Sequence, residues 1–396
     1  MKILCVFGKY QYGDPSRGIG TEFASFVPAL ITLGHEVIHF ESWDRLAYPN
    51  YGALNRALLE TVKVETPDIM LAVQMNYEIF IETLLFIKKE TKTATICWAT
   101  DDSWKYREVS RFIGPAYHGM ITTYSEVIPK YHSDGITEVL LSQWAANSQT
   151  HSEPLPASSC QYPVSFVGAA HGNRKRRIAQ LRDKGIHVSC FGHGWPAGSV
   201  VAEQIPQIMQ NSIISLNFAN SKGSNQVKAR TFEVPGSGGF LLTEDAPGLE
   251  KFYVKGQEID VFVDTQILIK KIKYYLENPE KRDQIAKAGF QRTRRDHTYE
   301  NRMEQAIDFA IRAKDNCLSC NINSITPSIF QLEKSHRLNL FLKLTRKILL
   351  VPCVVIWGNR RGLRVARRLV FEISWRFFGK KTFSASGWPG RMFPEL

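Results

Sequence analysis

Val164-Ser165-Phe166-Val167-Gly168-Ala169-Ala170-His171-Gly172-Asn173-Arg174-Lys175-Arg176-Arg177 reads as an apolar strand, a turn of small residues and the polar start of a helix. A short β-branched and aromatic run, a glycine turn and then helical spacing mark the opening of a βαβ unit. The run restarts a pattern after the polar, Pro- and Ser-rich stretch 147–163, which reads as an interdomain linker. Downstream, strands at 186–191, 213–218, 240–244 and 259–263 alternate with helices at 173–184, 202–211, 226–235 and 247–253. Helices at 265–277, 279–295 and 299–314 follow. Upstream, strands at 3–7, 36–40, 68–73, 94–100, 119–124 and 137–142 are separated by helices on the same scale. Strands spaced by helices pair in parallel through right-handed crossovers. The pattern therefore predicts an α/β protein of two Rossmann-like halves facing a cleft: 1–150, then 163–298, with a closing helix at 299–315. In such sheets a ligand sits beyond the carboxyl ends of the strands.

The chain has 396 residues, 44% of them apolar, with 27 Gly and 18 Pro, the balance of a globular protein and not of a disordered one. Its most apolar stretch, 348–357, is too short to span a bilayer and contains Pro352. Residues 1–7 read as a buried strand without the small-residue cleavage site of a secretory signal. Seven scattered cysteines form neither a disulfide framework nor a zinc site, and the lone pair Cys317 and Cys320 has no partner pair. These features predict a cytoplasmic, reducing setting.

The net charge of +12 is not spread evenly. Residues 331–396 hold 14 Lys and Arg against 3 Asp and Glu, while the other 330 residues hold 36 against 35. This basic helical extension interleaves Lys343, Arg346, Lys347, Arg360, Arg361, Arg364, Arg367 and Arg368 with Leu, Ile, Phe and Trp. A basic stripe beside an apolar face suits an anionic membrane surface. A helical pair docked on the body is the alternative. Nucleic acid explains the arginines but not the apolar face.

The sharpest signal is Lys228-Ala-Arg230-Thr-Phe232-Glu233-Val-Pro-Gly-Ser-Gly238-Gly239-Phe-Leu-Leu-Thr243-Glu244. With Phe166-Val167-Gly168, Phe191-Gly192-His193-Gly194-Trp195, Asp296-His297-Thr298-Tyr299, Trp98-Ala-Thr-Asp101-Asp102 and Leu141-Ser-Gln-Trp144-Ala145, it resembles CgeB-like glycosyltransferases. These are relatives of the large retaining family 4, and the likeness runs over roughly residues 1–315. It implies a GT-B fold, an acceptor domain followed by a nucleotide-sugar donor domain, and transfer of a sugar from a nucleoside-diphosphate sugar. That donor is a co-substrate, and no cofactor is implied. The acceptor is not identified; a lipid-linked or polysaccharide acceptor would suit a membrane surface at the inner face of the cytoplasmic membrane.

The resemblance places Glu233 on the ribose hydroxyls, where a carboxylate can accept from both members of a diol. Lys228 and Arg230 would meet the diphosphate. Gly168 and His171 in the turn, with Arg174 at the helix start, would offer backbone N–H groups and charge to an anion. Asn225 stands where family-4 relatives carry the first glutamate of a Glu-x7-Glu pair, a departure that bears on sugar identity and stereochemistry. Gly18 and Gly20 follow the first strand, as turn glycines or as a loop facing the donor phosphates. Asp101 and Asp102 follow a buried strand; they offer a catalytic carboxylate, with helix capping as the alternative. His118 is a further candidate at the acceptor side. No Asp-x-Asp motif is present, so metal-independent transfer is expected, with cations neutralising the leaving diphosphate. A non-catalytic scaffold that keeps the fold and binds the nucleotide-sugar is the alternative.

Overall fold

The computed structural model describes residues 1–44, 46–219, 225–317 and 329–394. Cys320, half of the lone cysteine pair, lies outside them. The chain forms two compact units, Met1–Ser142 together with Met303–Leu396, and Gln143–Arg302.

The first unit is built on six strands: β1 Lys2–Val6, β2 Glu36–Phe40, β3 Ile69–Ala72, β4 Ala94–Ala99, β5 Gly119–Thr122 and β6 Val139–Leu141. They pair in parallel in the order β2-β1-β3-β4-β5-β6, with Ile3 opposite both Val37 and Ile69. Central strands covered on both faces must be apolar throughout, and Ile3, Leu4, Cys5, Val6 and all of β3 and β4 are buried. The Thr21–Thr32, Tyr51–Glu65 and Ile81–Glu90 helices are the crossovers. Between β4 and β5 the expected helix is broken: Asp102–Lys105 gives way to a wider turn at Tyr106–Ser110 before Arg111–Ile113.

The second unit has five parallel strands: β7 Tyr162–Val167, β8 Ser189–Phe191, β9 Ser212–Asn217, β10 Leu241–Glu244 and β11 Asp260–Phe262. Their order is β11-β10-β9-β7-β8. In both units the first strand sends its second to one side and its third to the other, so strand order reverses between β1 and β3 and between β7 and β9. The helix expected over 226–235 starts only at Arg230, because residues 225–228 are non-helical and the Asn225 side chain is tied to the Asp245 carbonyl at 2.7 Å. The Tyr299–Cys317 helix begins in the second unit and continues from Met303 in the first. There Phe309 reaches β5 so closely that a Cβ on Gly119 would lie 2.5 Å from its ring.

The basic extension is divided between two roles. Leu332, Phe371, Trp375, Phe383 and Ala385 belong to the same core as Tyr51, Leu58, Tyr77, Phe80 and Ile87. Phe371 and Trp375, expected on a lipid-facing side, are instead core residues of the first unit. An amphipathic pattern tells how many faces a helix has, not which neighbour covers the apolar one. No described helix is long and apolar enough to cross a membrane.

Candidate donor site at the β7/β9 switch point

Beyond β7 the chain turns through Gly168–Gly172 and enters the Arg174–Arg182 helix. Gly172 takes φ 59°, a conformation that suits glycine. The turn is fixed from the neighbouring strand: the Gly168 amide donates to the Phe191 carbonyl at 2.8 Å, and Trp195 Nε1 donates to the Gly168 carbonyl at 2.7 Å. Arg174, Arg177 and Leu181 share the inward face of the helix through i, i+3, i+7 spacing. Arg174 Nη1 donates to the Ala169 carbonyl at 3.0 Å, and its guanidinium lies over the Phe166 ring at 5.4 Å. Arg177 Nη2 pairs with Glu244 Oε1 at 2.6 Å and lies over Phe218 at 5.5 Å. Glu244, the last residue of β10, is 4% exposed.

Opposite this turn, the two-turn helix Arg230–Gly236 buries Phe232 and Val234 and leaves Glu233 half-buried. Arg230 Nε donates to the Val167 carbonyl at 3.1 Å, and its Nη1 donates to Glu233 Oε2. Glu233 Oε1 accepts nothing from the described residues. Arg174, Arg230 and Glu233 are thereby gathered at the carboxyl end of β7, beside the strand reversal, where ligands of open α/β sheets bind. Burial first, then the nearby Arg230 charge, push the Arg174 guanidinium below its ordinary pKa, while Glu244 opposes the shift. Asn173 Oδ1, Arg174 Nε and Arg177 Nη1 are buried with no hydrogen-bond partner among the described residues. Such polar atoms cost ~1–3 kcal/mol each unless something meets them.

The other expected donor residues fall around this centre. Asn225 is held on Asp245, and Lys228 Nζ donates to Gln226 Oε1 at 2.8 Å. His171 is exposed in the turn, its amide bonded to the Ala169 carbonyl at 2.9 Å. Gly18 and Gly20 belong to the other unit, in the loop between β1 and the Thr21–Thr32 helix. Lys175, the neighbour of Arg174, lies on the other face of the helix. It lines a groove of about 970 Å³ with Ile178, Arg182, Cys190 and Trp195.

The catalytic candidates separate in the first unit. Asp102 is 1% exposed and accepts from Ser110 Oγ at 2.5 Å and Tyr131 Oη at 2.7 Å. Burial pushes its carboxyl pKa up against these bonds, so Asp102 is a structural anchor. Asp101 lies past the end of β4, with Glu22 and Lys105 as charged neighbours. Burial pushes Glu22 up, with Asp101 adding to the shift and Lys105 opposing it. Glu22 was missed in the sequence because an acidic residue in a first helical turn reads as dipole compensation. His118 precedes β5, at the opposite edge of the sheet from Asp101. Its Nδ1 accepts from the Thr95 amide at 3.0 Å, and burial drives its pKa down to about 3. The ring is neutral with its proton on Nε2, and it is not part of the Asp101 cluster.

Residues 174–308 match the family described as glycosyl transferase-like. The structure is similar to sucrose-phosphate synthase from Thermosynechococcus elongatus, with TM-score 0.52 and 12% identity over 79% of this chain and 100% of that one. It is similar to Anabaena HepE in complex with UDP and glucose, with TM-score 0.51 and 12% identity over 78% and 99%. It also resembles AviGT4, a glycosyltransferase involved in avilamycin A biosynthesis, with TM-score 0.52 and 11% identity over 80% and 98%. The chain has a GT-B fold, and its residues 174–308 are glycosyl transferase-like. No curated protein matches it in sequence. Within this GT-B fold, the matched segment opens on Arg174 and takes in Arg177, Asn225, Lys228, Arg230, Glu233 and Glu244. Sequence reasoning passed over two of these, Arg177 and Glu244. Their signals were helical phase for the arginine and, for the glutamate, a charge at the end of an otherwise apolar strand.

Proposed function

We propose that the chain transfers a sugar from a nucleoside-diphosphate sugar, and that the donor is held by the second unit at the β7/β9 switch point. The observation that carries this reading is the gathering of Arg174 and Arg230 at the carboxyl end of β7, where Arg174 bonds the Ala169 carbonyl and Arg230 bonds both the Val167 carbonyl and the Glu233 carboxylate. Glu233 accepts from the ribose hydroxyls, and its Oε1 is the oxygen left for them. Arg174 and Arg230, with Lys228, take the diphosphate. As the sugar bond breaks, negative charge grows on the leaving diphosphate, and fixed guanidinium groups stabilise that charge without reorganising. Arg177, neutralised by Glu244, positions Arg174 and the helix start. Asn225, anchored through its Nδ2, presents Oδ1 on the side of the transferred sugar.

The family-4 resemblance extends the reading to retention of configuration, with Asn225 as the departure that bears on it, and the missing Asp-x-Asp motif extends it to independence from a metal ion. The basic extension 331–396 favours an acceptor presented at an anionic membrane surface. UDP-glucose is the first donor to try, since HepE is held with UDP and glucose. Release of nucleoside diphosphate from a panel of UDP-, GDP-, ADP- and dTDP-sugars is expected to continue in excess chelator. Metal-reversible loss of turnover would contradict metal independence. Binding without turnover of any donor would make the chain a nucleotide-sugar-binding module. The anomeric configuration of the product, read by NMR, tests retention.

A further inference from the structure

The extension from Asn339 is a folded-back helix. Leu340–Phe378 is helical except at Gly358, where φ 73° and ψ 168° turn the chain. Beyond the turn Gly362 lies so close that a Cβ there would be 2.5 Å from the Cys353 carbonyl oxygen. Residues nine apart stand about 13.5 Å apart along one straight helix, so this approach requires two arms, 340–357 and 359–378. Leu342 and Cys353 of the first arm share a small core with Ala366 and Val370 of the second and with Met392 and Phe393. That buries one face of the first arm.

Its opposite face carries Phe341, Leu344, Ile348, Val351 and Val355, spaced three and four apart, at 64%, 53%, 72%, 58% and 79% exposure. At the turn Ile356 and Trp357 are also exposed. A row this long and apolar is not an ordinary protein surface. Cations bracket it. Lys343 and Lys347 lie at its start, and Arg360, Arg361 and Arg364 lie just past the turn; all five are exposed and none is ion-paired among the described residues. Between them, residues 348–357 carry no charge at all.

We infer that the first arm and the turn form an interfacial anchor that lies along an anionic bilayer. Phe341, Leu344, Ile348, Val351 and Val355 enter the boundary between headgroups and acyl chains, and the bracketing cations meet lipid phosphates. The inference rests on the membrane-surface part of the proposed function and narrows it to one element and one face. The charge pattern selects an anionic bilayer over a second protein copy, because two such faces would bring like charges together. The arm is long enough to lie in one leaflet and too short to span, since 348–357 covers about 15 Å of a core of about 30 Å.

The test is co-sedimentation of the full chain with vesicles of phosphatidylcholine containing about 30% phosphatidylserine, and with phosphatidylcholine alone. The full chain is expected to sediment with the anionic vesicles and to be released by high salt. Ile348→Asp with Val355→Asp, at exposed positions, should reduce binding about tenfold or more, and Arg360→Glu with Arg361→Glu should do likewise. Thermal unfolding and calorimetric titration with UDP-glucose should be unchanged in both variants. Anionic-vesicle binding that both variants retain, or no binding by the full chain, overturns the inference. So does a stable dimer in light scattering that the Asp variant dissociates. Loss of UDP-glucose binding by the full chain, with vesicle binding intact, would count against the donor reading and leave the anchor standing.

Discussion

Arg177 and Lys175 stand two residues apart on one helix and serve opposite faces of it. Arg177 faces inward to Glu244, and removing it leaves a carboxylate that is 4% exposed without its partner. Breaking a largely buried pair from one side costs about 3–5 kcal/mol, more than the pair contributes over apolar groups of the same shape. Arg177→Ala is therefore expected to lower the stability of the second unit by roughly 3 kcal/mol. Adding Glu244→Gln should restore part of that loss in chemical denaturation, whereas an unchanged Arg177→Ala midpoint would contradict the pairing. The same residues show what could be read from the sequence. Arg174 was legible because a helix start after a glycine turn attracts anions wherever it occurs. Arg177 was not, since four consecutive basic residues look like a solvated face until the helical phase is fixed by the burial of Leu181. His118 stands just before the strand at 119–124 in the sequence and just before β5 in the structure, which puts it at the opposite end of the strands from Asp101.

Among the elements, the basic extension taught most. Its two-faced helices were plain in the sequence, and so was the charge split. The occupant of each face was not, because burial depends on neighbours that lie far away in the chain, in the first hundred or so residues. Trp375 is 6% exposed, shares a core with Tyr77 and Phe80, and its ring holds Arg107 at 5.6 Å. Trp375→Ala is expected to destabilise the first unit by about 3–5 kcal/mol, the usual cost of emptying a buried aromatic site. Removing everything after residue 328 should do more, exposing Tyr51, Tyr77 and Phe80 and giving an aggregating protein. If Trp375→Ala unfolds at the wild-type midpoint, the second arm does not belong to that core.

For the molecule as a whole, both α/β units were legible from alternation alone, and each sheet repeats one strand order. Where strand order reverses in the second unit, the arginines and Glu233 gather. Three histidines buried as neutral rings set the acid limit of both units. Burial lowers His118 to about 3, and His297 and His336 to about 4. Below about pH 6.5 the unfolded chain takes up protons at these rings that the folded chain refuses. Stability therefore rises with pH across that window: it is fully present above about 6.5 and is lost as pH falls toward 4. Each ring contributes a slope of up to about 1.4 kcal/mol per pH unit. His336→Phe, in its aromatic setting beside Tyr51 and Phe80, should flatten the slope of denaturation midpoint against pH between 4 and 6.5. An unaltered slope would mean that this ring is not buried neutral.

The central claim, that Glu233 and its arginines hold the donor nucleotide, is tested most directly by calorimetric titration of wild-type protein and Glu233→Ala with nucleoside-diphosphate sugars. Glu233 is half-buried and lies outside the core, so the variant should keep its fold. Its affinity for the donor that the wild type binds should fall by about 1.5–3 kcal/mol, the range for hydrogen bonds to a charged group. A folded Glu233→Ala protein that binds the same donor with wild-type affinity would contradict the account.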